Sequence, residues 1–454
     1  MLPDNALLEI FDLYAKEAEL KSKWHRLVHV CQKWRNIVFG SPRRLCLRLY
    51  CRARTPVREM LDVWPQLPIV IRHDGYHILG VDDIIAALEH NDRVCEIDLG
   101  SGNIPSSQWE KVLATMQVRF PTLTGLKLQS RCETAPVVPN LFLGGYAPRL
   151  QTLILDCVPF PGLPRLLISA THIAHLSLRN IPHSGYISPE TMVTCLSVLT
   201  KLESLYIGFE SPKSRPDWNG RRPHPRTRTL LPTLTKLFFK GASQYLEDLM
   251  ARIDAPLLHK LKITFFHQLI FDTPELAQFI YRTQNFQTHY EAHVEFSGSG
   301  VWVKFPQTHN GVLELAISCN RSDWQLSSLT QVCSSSFPRA LIWAVKQLDI
   351  HEAPSPRMRW QNDIEISQWL ELLYPFTFVE DLYISQEFGP RIAPALKGIL
   401  GERMREVLPA LRTLYKEERL LILSGANSEN DWGVCCRTTD CCDPLPSPTG
   451  KRIF

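Results

Sequence analysis

Two pairs of adjacent cysteines near the end of the chain are the residues whose chemistry is easiest to name. Cys435 with Cys436, and Cys441 with Cys442, could supply thiolate ligands to zinc. Adjacent cysteines rarely serve one tetrahedral ion together, and neither a C-x-x-C pair nor a ligand-spaced histidine lies nearby. The stretch 419–454 therefore indicates a disordered tail and no metal site, with a translated intron as the third interpretation.

Motifs of catalysis are missing from the sequence. It contains no G-x-S-x-G, no Walker-type glycine loop, no H-E-x-x-H and no G-x-G-x-x-G at the start of a helix. The fifteen histidines are dispersed, and one such as His175, beside Leu176, is typical of a structural role. We expect a protein that is not an enzyme and has no cofactor.

A basic, proline-rich stretch at 212–228 is the second feature with chemical potential. Its sequence, PKSRPDWNGRRPHPRTR, holds six basic residues and one acid. Arginine binds carboxylates and phosphates through two parallel hydrogen bonds, so this loop could dock an acidic or phosphorylated partner. A solvated loop without a partner is the alternative interpretation.

From about residue 91 the chain repeats one pattern: a leucine, two residues, then two apolar positions separated by one. Between the copies, apolar residues follow the helical spacing i, i+3, i+4, i+7. The strongest copies centre on Ile97, Leu126, Leu153, Leu176, Leu205, Leu237 and Leu261, and weaker ones on Val294, Leu315, Leu348, Leu382 and Leu414. Steps of 29, 27, 23, 29, 32 and 24 residues approximate the unit of a leucine-rich repeat, roughly 20–29 residues. The pattern predicts an α/β solenoid with parallel strands on the concave face and helices on the convex face.

The alternative is an ordinary doubly wound α/β domain. Such sheets use nearly continuous apolar strands, whereas these short strands keep polar residues at alternate positions.

Because side chains alternate across a strand, the residues beside the leucines should face outward and form a binding ribbon. These residues are Lys127, Gln129, Arg179, Tyr206, Phe238, Lys240, Lys262, Asp349, His351 and Tyr383. We expect target binding by Arg179, Tyr206, Phe238, Lys240, Lys262 and Tyr383, where exposed aromatic rings and a basic rim suit an acidic or partly apolar peptide.

Composition narrows the class of partner. The chain of 454 residues has a net charge of +4 and a pI near 8.4, without the clustered basicity of a nucleic-acid-binding protein. No apolar run approaches the ~20 residues that span a bilayer, and the secretion-signal pattern is lacking. We expect no membrane association and a cytoplasmic or nuclear location, where the nine cysteines between Cys31 and Cys333 act as small buried apolar residues.

The first forty residues predict three short amphipathic helices. Leu7, Ile10, Phe11 and Tyr14 share helical spacing, and a second run begins at Leu27. A terminal cap covering the end of the repeat array is one interpretation. The segment nevertheless offers more apolar surface than a cap requires, which suits a contact with another protein.

The opening Leu2-Pro3, the later Val30-Cys31 and the following Trp34-Arg35 resemble the F-box, the motif that binds the adaptor of cullin-RING ubiquitin ligases. With GSPRRLCLRL, APLLHKLKITFF, SDWQLSSLTQVCSSS and FGPRIAPALKGILGERM, the chain is similar to a large F-box group of mushroom-forming fungi. The resemblance implies binding to a Skp-type adaptor by Leu2, Pro3, Leu8, Ile10, Leu27, Val30 and Trp34.

The resemblance further implies a substrate receptor of an SCF-type ligase that holds an unidentified target protein. A repeat scaffold acting without ubiquitin transfer is the alternative. The predicted segments are an F-box-like helical segment at 1–44, a transition or capping segment at 45–90, the solenoid at 91–418 and the tail at 419–454.

Overall fold

The computed structural model describes 2–16, 25–41, 48–51, 57–64, 66–72, 80–99, 104, 106–130, 136–212, 227–287, 289–306, 311–319, 322–353, 366–385, 407–417 and 451–452. Most of the basic stretch 212–228 and nearly all of the tail 419–454, with its four cysteines, therefore lie outside the described residues. The chain divides into two units. Unit 1 comprises Met1–Phe266 and Thr273–Asn285, and unit 2 comprises His267–Asp272 and Phe286–Phe454.

Three helices open unit 1, as the sequence predicts. They are α1 (Asp4–Lys16), α2 (His25–Val28) and α3 (Gln32–Gly40). Phe11, one turn after Leu7 on α1, is fully buried, and its ring meets that of Trp34 edge-on with centroids 4.8 Å apart. The Lys33 ammonium binds the Asp4 carboxylate at 2.9 Å, which joins the start of α3 to the start of α1.

A parallel sheet forms the main layer of unit 1. The described strands of this unit are β1 (Leu49–Cys51), β2 (Ile69–Arg72), β3 (Val94–Leu99), β4 (Gly125–Gln129), β5 (Thr152–Asp156), β6 (His175–Ile181), β7 (Ser204–Phe209), β8 (Thr229–Leu230), β9 (Lys236–Gly241), β10 (Ile253–Asp254) and β11 (Lys260–Phe266). Nine of them follow one another in the order β1, β2, β3, β4, β5, β6, β7, β9, β11, each parallel to its neighbours. The other two, β8 and β10, form a separate parallel pair. The sheet thus begins before residue 91, where the repeat pattern starts.

The predicted leucines form one continuous row through this sheet. Leu126, Leu153, Leu176, Leu205, Leu237 and Leu261 are paired in register from strand to strand, and all are buried. Burial of a leucine side chain contributes about 2 kcal/mol. This row confirms the repeat pattern and gives unit 1 leucine-rich-repeat character.

Helices between the strands bury their apolar stripes. They are α4 (Val57–Val63), α5 (Val81–Leu88), α6 (Ser106–Thr115), α7 (Leu163–Ser169), α8 (Pro189–Leu196), α9 (Ser243–Met250) and α10 (Pro274–Arg282). Ser188 caps the N-terminus of α8, since its Oγ accepts the Thr191 N–H at 3.2 Å. The N-terminus of α10 is capped by a side chain of another helix. The Glu247 carboxylate of α9 accepts the first two N–H groups of α10, from Glu275 and Leu276.

A backbone motif, which we call the carbonyl relay, links successive repeats. The Thr124 carbonyl accepts the N–H groups of Gln151 and Thr152 at 2.8 and 3.1 Å, and the Gln151 carbonyl accepts the next two donors in the same way. The acceptors of unit 1 are Thr124, Gln151, Ala174, Glu203 and Thr235. Each relay fixes the start of a strand against the preceding repeat without using a side chain.

Unit 2 carries the relay but not a wholly parallel sheet. Its elements are β12 (Glu291–Ser297), β13 (Gly300–Phe305), β14 (Val312–Ser318), α11 (Ser322–Ser335), α12 (Arg339–Ala344), β15 (Gln347–Glu352), α13 (Ile366–Leu373), β16 (Asp381–Ser385), β17 (Thr413–Glu417) and β18 (Lys451–Arg452). Strands β12, β15, β16 and β17 are parallel, and the relay acceptors are Tyr290, Lys346 and Glu380.

The prediction of parallel strands throughout is wrong for 291–318. Strand β13 is antiparallel to both β12 and β14. Only Gly298 and Ser299 separate β12 from β13, which is too short for a crossover and long enough for a hairpin. Buried Gln325 completes this hairpin by donating from Nε2 to the carbonyls of Ser297 and Cys319 at 2.8 and 2.7 Å.

Candidate interaction surfaces

One face of the unit 1 sheet carries the polar and aromatic residues that alternate with the leucines. The strand register places Tyr206, Phe238 and Lys262 side by side on β7, β9 and β11. Arg179 lies near the end of β6, and Lys240 lies two residues beyond Phe238 on β9. The structure thus brings together five of the six residues predicted to bind a target.

Aromatic rings and cations stack along this face. The Arg179 guanidinium lies 5.2 Å from the centroid of the Tyr206 ring, which stacks on the Phe238 ring at 6.0 Å. The Lys260 ammonium lies 5.4 Å from the Phe238 ring on its other flank. Half-buried Tyr206 has its pKa raised by burial. The expectation that both rings are exposed is wrong: Tyr206 is half-buried, and Phe238 is only 5% exposed because these neighbours cover it.

Positive charge concentrates at β9 and β11, which contain four lysines and no acidic residue. Lys236 and Lys260 were missed by the sequence analysis, although their position two residues before Phe238 and Lys262 puts them on the same face. We call Arg179, Tyr206, Lys236, Phe238, Lys240, Lys260 and Lys262 the basic-aromatic face.

The other end of the same sheet is closer to neutral. Glu96 of β3 pairs with Arg48 and, at 3.4 Å, with Arg72. Asp98 pairs with Lys127 at 3.4 Å. The positive potential of the sheet therefore increases toward β11, which makes that end the stronger candidate for binding negative charge.

Tyr383, the sixth predicted residue, lies in unit 2. Its ring stacks on that of Tyr415 with centroids 4.4 Å apart, and the strand register pairs Tyr383 with Asp349. Burial, together with Tyr415 and nearby carboxylates, raises the pKa of Tyr383 to about 12. Its surroundings are acidic, unlike those of the basic-aromatic face.

The residues implied in adaptor binding fall into two groups. Leu2, Pro3, Ile10 and Val30 are exposed, and Leu2 and Val30 keep more than half of their surface, at 54% and 59%. Leu8 and Leu27 are buried, and Trp34 is half-buried against Phe11. Leu13, which the resemblance did not indicate, is exposed as well.

Within the described ranges, no group of three His, Cys, Asp or Glu residues is placed to hold a metal ion. None of the described helices combines the length and the apolar character needed to cross a bilayer. Comparisons by sequence return no matching protein-family profile and no matching curated protein.

Among solved structures, the chain is similar to the leucine-rich-repeat-containing protein LegL7 from Legionella pneumophila. The two are 12% identical over 74% of this chain and 87% of that one, with a TM-score of 0.29. The repeat character of this chain is shown by the leucine row and the carbonyl relay. On those grounds the protein is a mixed α/β repeat protein with a large, mainly parallel sheet.

Proposed function

We propose that the protein is a non-catalytic receptor that holds a target protein on its repeat units. The basic-aromatic face would bind an acidic, partly apolar segment of the target. The finer proposal is that the N-terminal helices bind a Skp-type adaptor, so that the protein serves as the substrate-recognition subunit of an SCF-type cullin-RING ubiquitin ligase. The other subunits would then supply the transfer chemistry, and this chain would supply proximity.

The observation that supports target binding best is the position of Tyr206. Tyrosine and arginine are the residues that most often dominate the energy of protein interfaces. Here the half-buried Tyr206 ring lies between Arg179 and Phe238, and both faces of the ring have a neighbour. Such a ring is held in one orientation before binding, which lowers the entropy cost of contact.

Adaptor binding is supported by the exposed apolar residues at the N-terminus and by the F-box resemblance that includes them. Leu2, Ile10 and Val30 leave apolar surface in water although the same helices bury Leu7 and Phe11. The segment thus packs with one set of side chains and keeps another available. Leu8 and Leu27 support the fold from inside, so we assign the adaptor contact to the exposed group.

Tyr206→Ala is expected to weaken capture of target proteins by about tenfold or more, because it removes a central aromatic anchor. The measurement is quantitative mass spectrometry of proteins retained by the immobilised chain. Tyr146→Ala is the control, since Tyr146 is an exposed tyrosine of unit 1 that likewise has an arginine, Arg119, 5.7 Å from its ring. Equal losses in both variants, or none in either, would place the target site elsewhere.

Leu2→Ala combined with Pro3→Ala is expected to reduce adaptor affinity about tenfold while target capture is retained. Both residues are exposed, so the fold should be unaffected. The control is Val118→Ala with Ile168→Ala, which removes similarly exposed apolar side chains elsewhere in unit 1. Affinity is measured by calorimetry with purified adaptor.

The competing proposal is a scaffold that binds its partners without ubiquitin transfer. It predicts that the unmodified chain retains targets but no adaptor, under conditions in which a known F-box protein retains one. If the Leu2, Pro3 variant kept its affinity for the adaptor, the contact assigned to these two residues would be wrong. If the unmodified chain bound no adaptor at all, the ligase proposal would be wrong, and the proposal of a target receptor would still stand.

A further inference from the structure

The outward face of the unit 2 sheet has the opposite charge to the basic-aromatic face. Strands β12, β15 and β16 carry four carboxylates at outward positions, and no lysine or arginine occurs among these strand residues. The register arranges the outward side chains in rows across the three strands. The rows are Glu291, Gln347, Asp381; His293, Asp349, Tyr383; and Glu295, His351. We call these eight residues the acidic face.

An ion-pair network connects the inner members of the acidic face. His351 Nε2 lies 2.9 Å from Glu295 Oε2, and His351 Nδ1 lies 3.6 Å from Asp349 Oδ1. His293 Nδ1 lies 3.3 Å from the other oxygen of Asp349. The His351 side chain is 8% exposed, whereas that of Glu291 at the margin is 41% exposed. The inner pairs thus hold the strands and their carboxylates in fixed positions.

These pairs do not neutralise the acidic face. Burial disfavours ionisation of Asp349, but its contacts with His293 and His351 outweigh burial and hold the pKa of its carboxyl well below the usual range. Burial likewise opposes protonation of His351, yet Asp349 and Glu295 raise its pKa to about 9. Even if both imidazoles carried a proton, two cations would face four carboxylates, and the balance is negative.

Aromatic rings border the negative charge. Half-buried Trp302 on β13 is in register with Glu295, and Tyr383 stacks on Tyr415 beside Asp349. A cation over such a ring is attracted by the negative face of its π-system. Lys304, in register with His293, is the one cation on the neighbouring strand β13 and limits the acidic face on that side.

We propose that the acidic face binds an extended segment of a partner protein that contains lysine and arginine. Carboxylates already fixed by the network can accept charge-assisted hydrogen bonds from a guanidinium or ammonium group, and the flanking rings can take its flat face. Nucleic acids and anionic membranes have the wrong sign of charge. The inference does not depend on adaptor binding. With it, unit 1 would bind an acidic segment and unit 2 a basic one.

The test is a titration of the full chain into a short fluorescent peptide of lysine, arginine, glycine and serine, followed by anisotropy. A peptide with glutamine in place of the cations is the matched probe, because a glutamate peptide could bind the basic-aromatic face instead. We expect the basic peptide to bind at least about tenfold more tightly, with affinity falling as salt is raised. Glu291→Gln with Asp381→Asn should weaken its binding about tenfold, because both carboxylates lie at the margin of the acidic face, where Glu291 is 3.8 Å from His293 and neither carboxylate is paired with His351.

Glu110→Gln with Glu371→Gln is the control, since it makes the same change of net charge at exposed positions on α6 and α13. A loss in the control equal to that in the test variant would overturn the proposal by showing non-specific attraction. Equal binding of the two peptides would also overturn the proposal. So would self-association of the chain that the test variant abolishes, because the acidic face would then be occupied by a second copy of this chain. Glu291→Lys, a single exposed change, should prevent binding and serves if the double variant folds poorly.

Discussion

Replacing Leu205 with alanine is expected to lower the free energy of unfolding of unit 1 by about 3 kcal/mol. Leu205 is fully buried in the middle of β7 and is in register with Leu176 and Leu237 on the two adjacent strands. Strand pairing on both sides prevents the neighbours from closing the cavity, so the loss includes a cavity term as well as lost burial. Urea unfolding followed by tryptophan fluorescence measures the change.

Leu230→Ala provides the matched control for this experiment. Leu230 lies on β8 and is 59% exposed, so its truncation should change the free energy of unfolding by less than about 0.5 kcal/mol. If Leu205→Ala changed the free energy of unfolding by as little as Leu230→Ala, the packing of the leucine row between adjacent repeats would not stabilise unit 1. That result would contradict the packing described for unit 1.

The second large effect is a pH dependence of stability in unit 2. The pKa of His351 rises from 6.5 to about 9 on folding. The protonated imidazole therefore stabilises the folded state fully below pH 6.5, and this contribution is lost as the pH rises through about 9. We expect a decline of about 2 kcal/mol across that window, set by the pairing of His351 with Glu295 and Asp349.

The measurement is the urea midpoint of the full chain at several pH values between 6 and 9.5. His351→Gln should flatten the curve and lower stability most at the acidic end of this window. His172→Gln, at an exposed histidine of unit 1, should leave the slope unchanged. A wild-type curve that is flat between pH 6.5 and 9 would contradict the network, as would a slope that survives in His351→Gln.

The sequence predicted the leucine row well because two signals agree there. The alternation of apolar residues gives the inward face, and its return every two dozen or so residues gives the stacking of strands, as Leu153 and Leu176 illustrate. The direction of pairing has no comparable signal. Val294 and Leu315 fit the repeat by pattern, yet their strands, β12 and β14, lie on either side of the antiparallel strand β13.

The alternation pattern predicted only part of each candidate surface, because it specifies the face on which a side chain lies and not the neighbours that cover it. Strand alternation correctly put Tyr206 and Lys262 on one face, but burial of Phe238 depends on neighbours from adjacent strands that the local pattern does not specify. The sequence did not predict that the residues of the acidic face lie together. His293 and Asp349 are 56 positions apart in the sequence, and they meet only because β12 and β15 pair directly.

The carbonyl relay separates the placement of a strand from the length of chain that precedes it. Between relay acceptors the chain advances 23 residues from Gln151 to Ala174 and 32 from Glu203 to Thr235. From Tyr290 to Lys346 it advances 56, with a hairpin and two helices included, yet the two-donor contact is the same. Insertions and deletions can therefore accumulate on the helical side during evolution while outward positions keep their neighbours, so a lineage can change what it recognises one residue at a time.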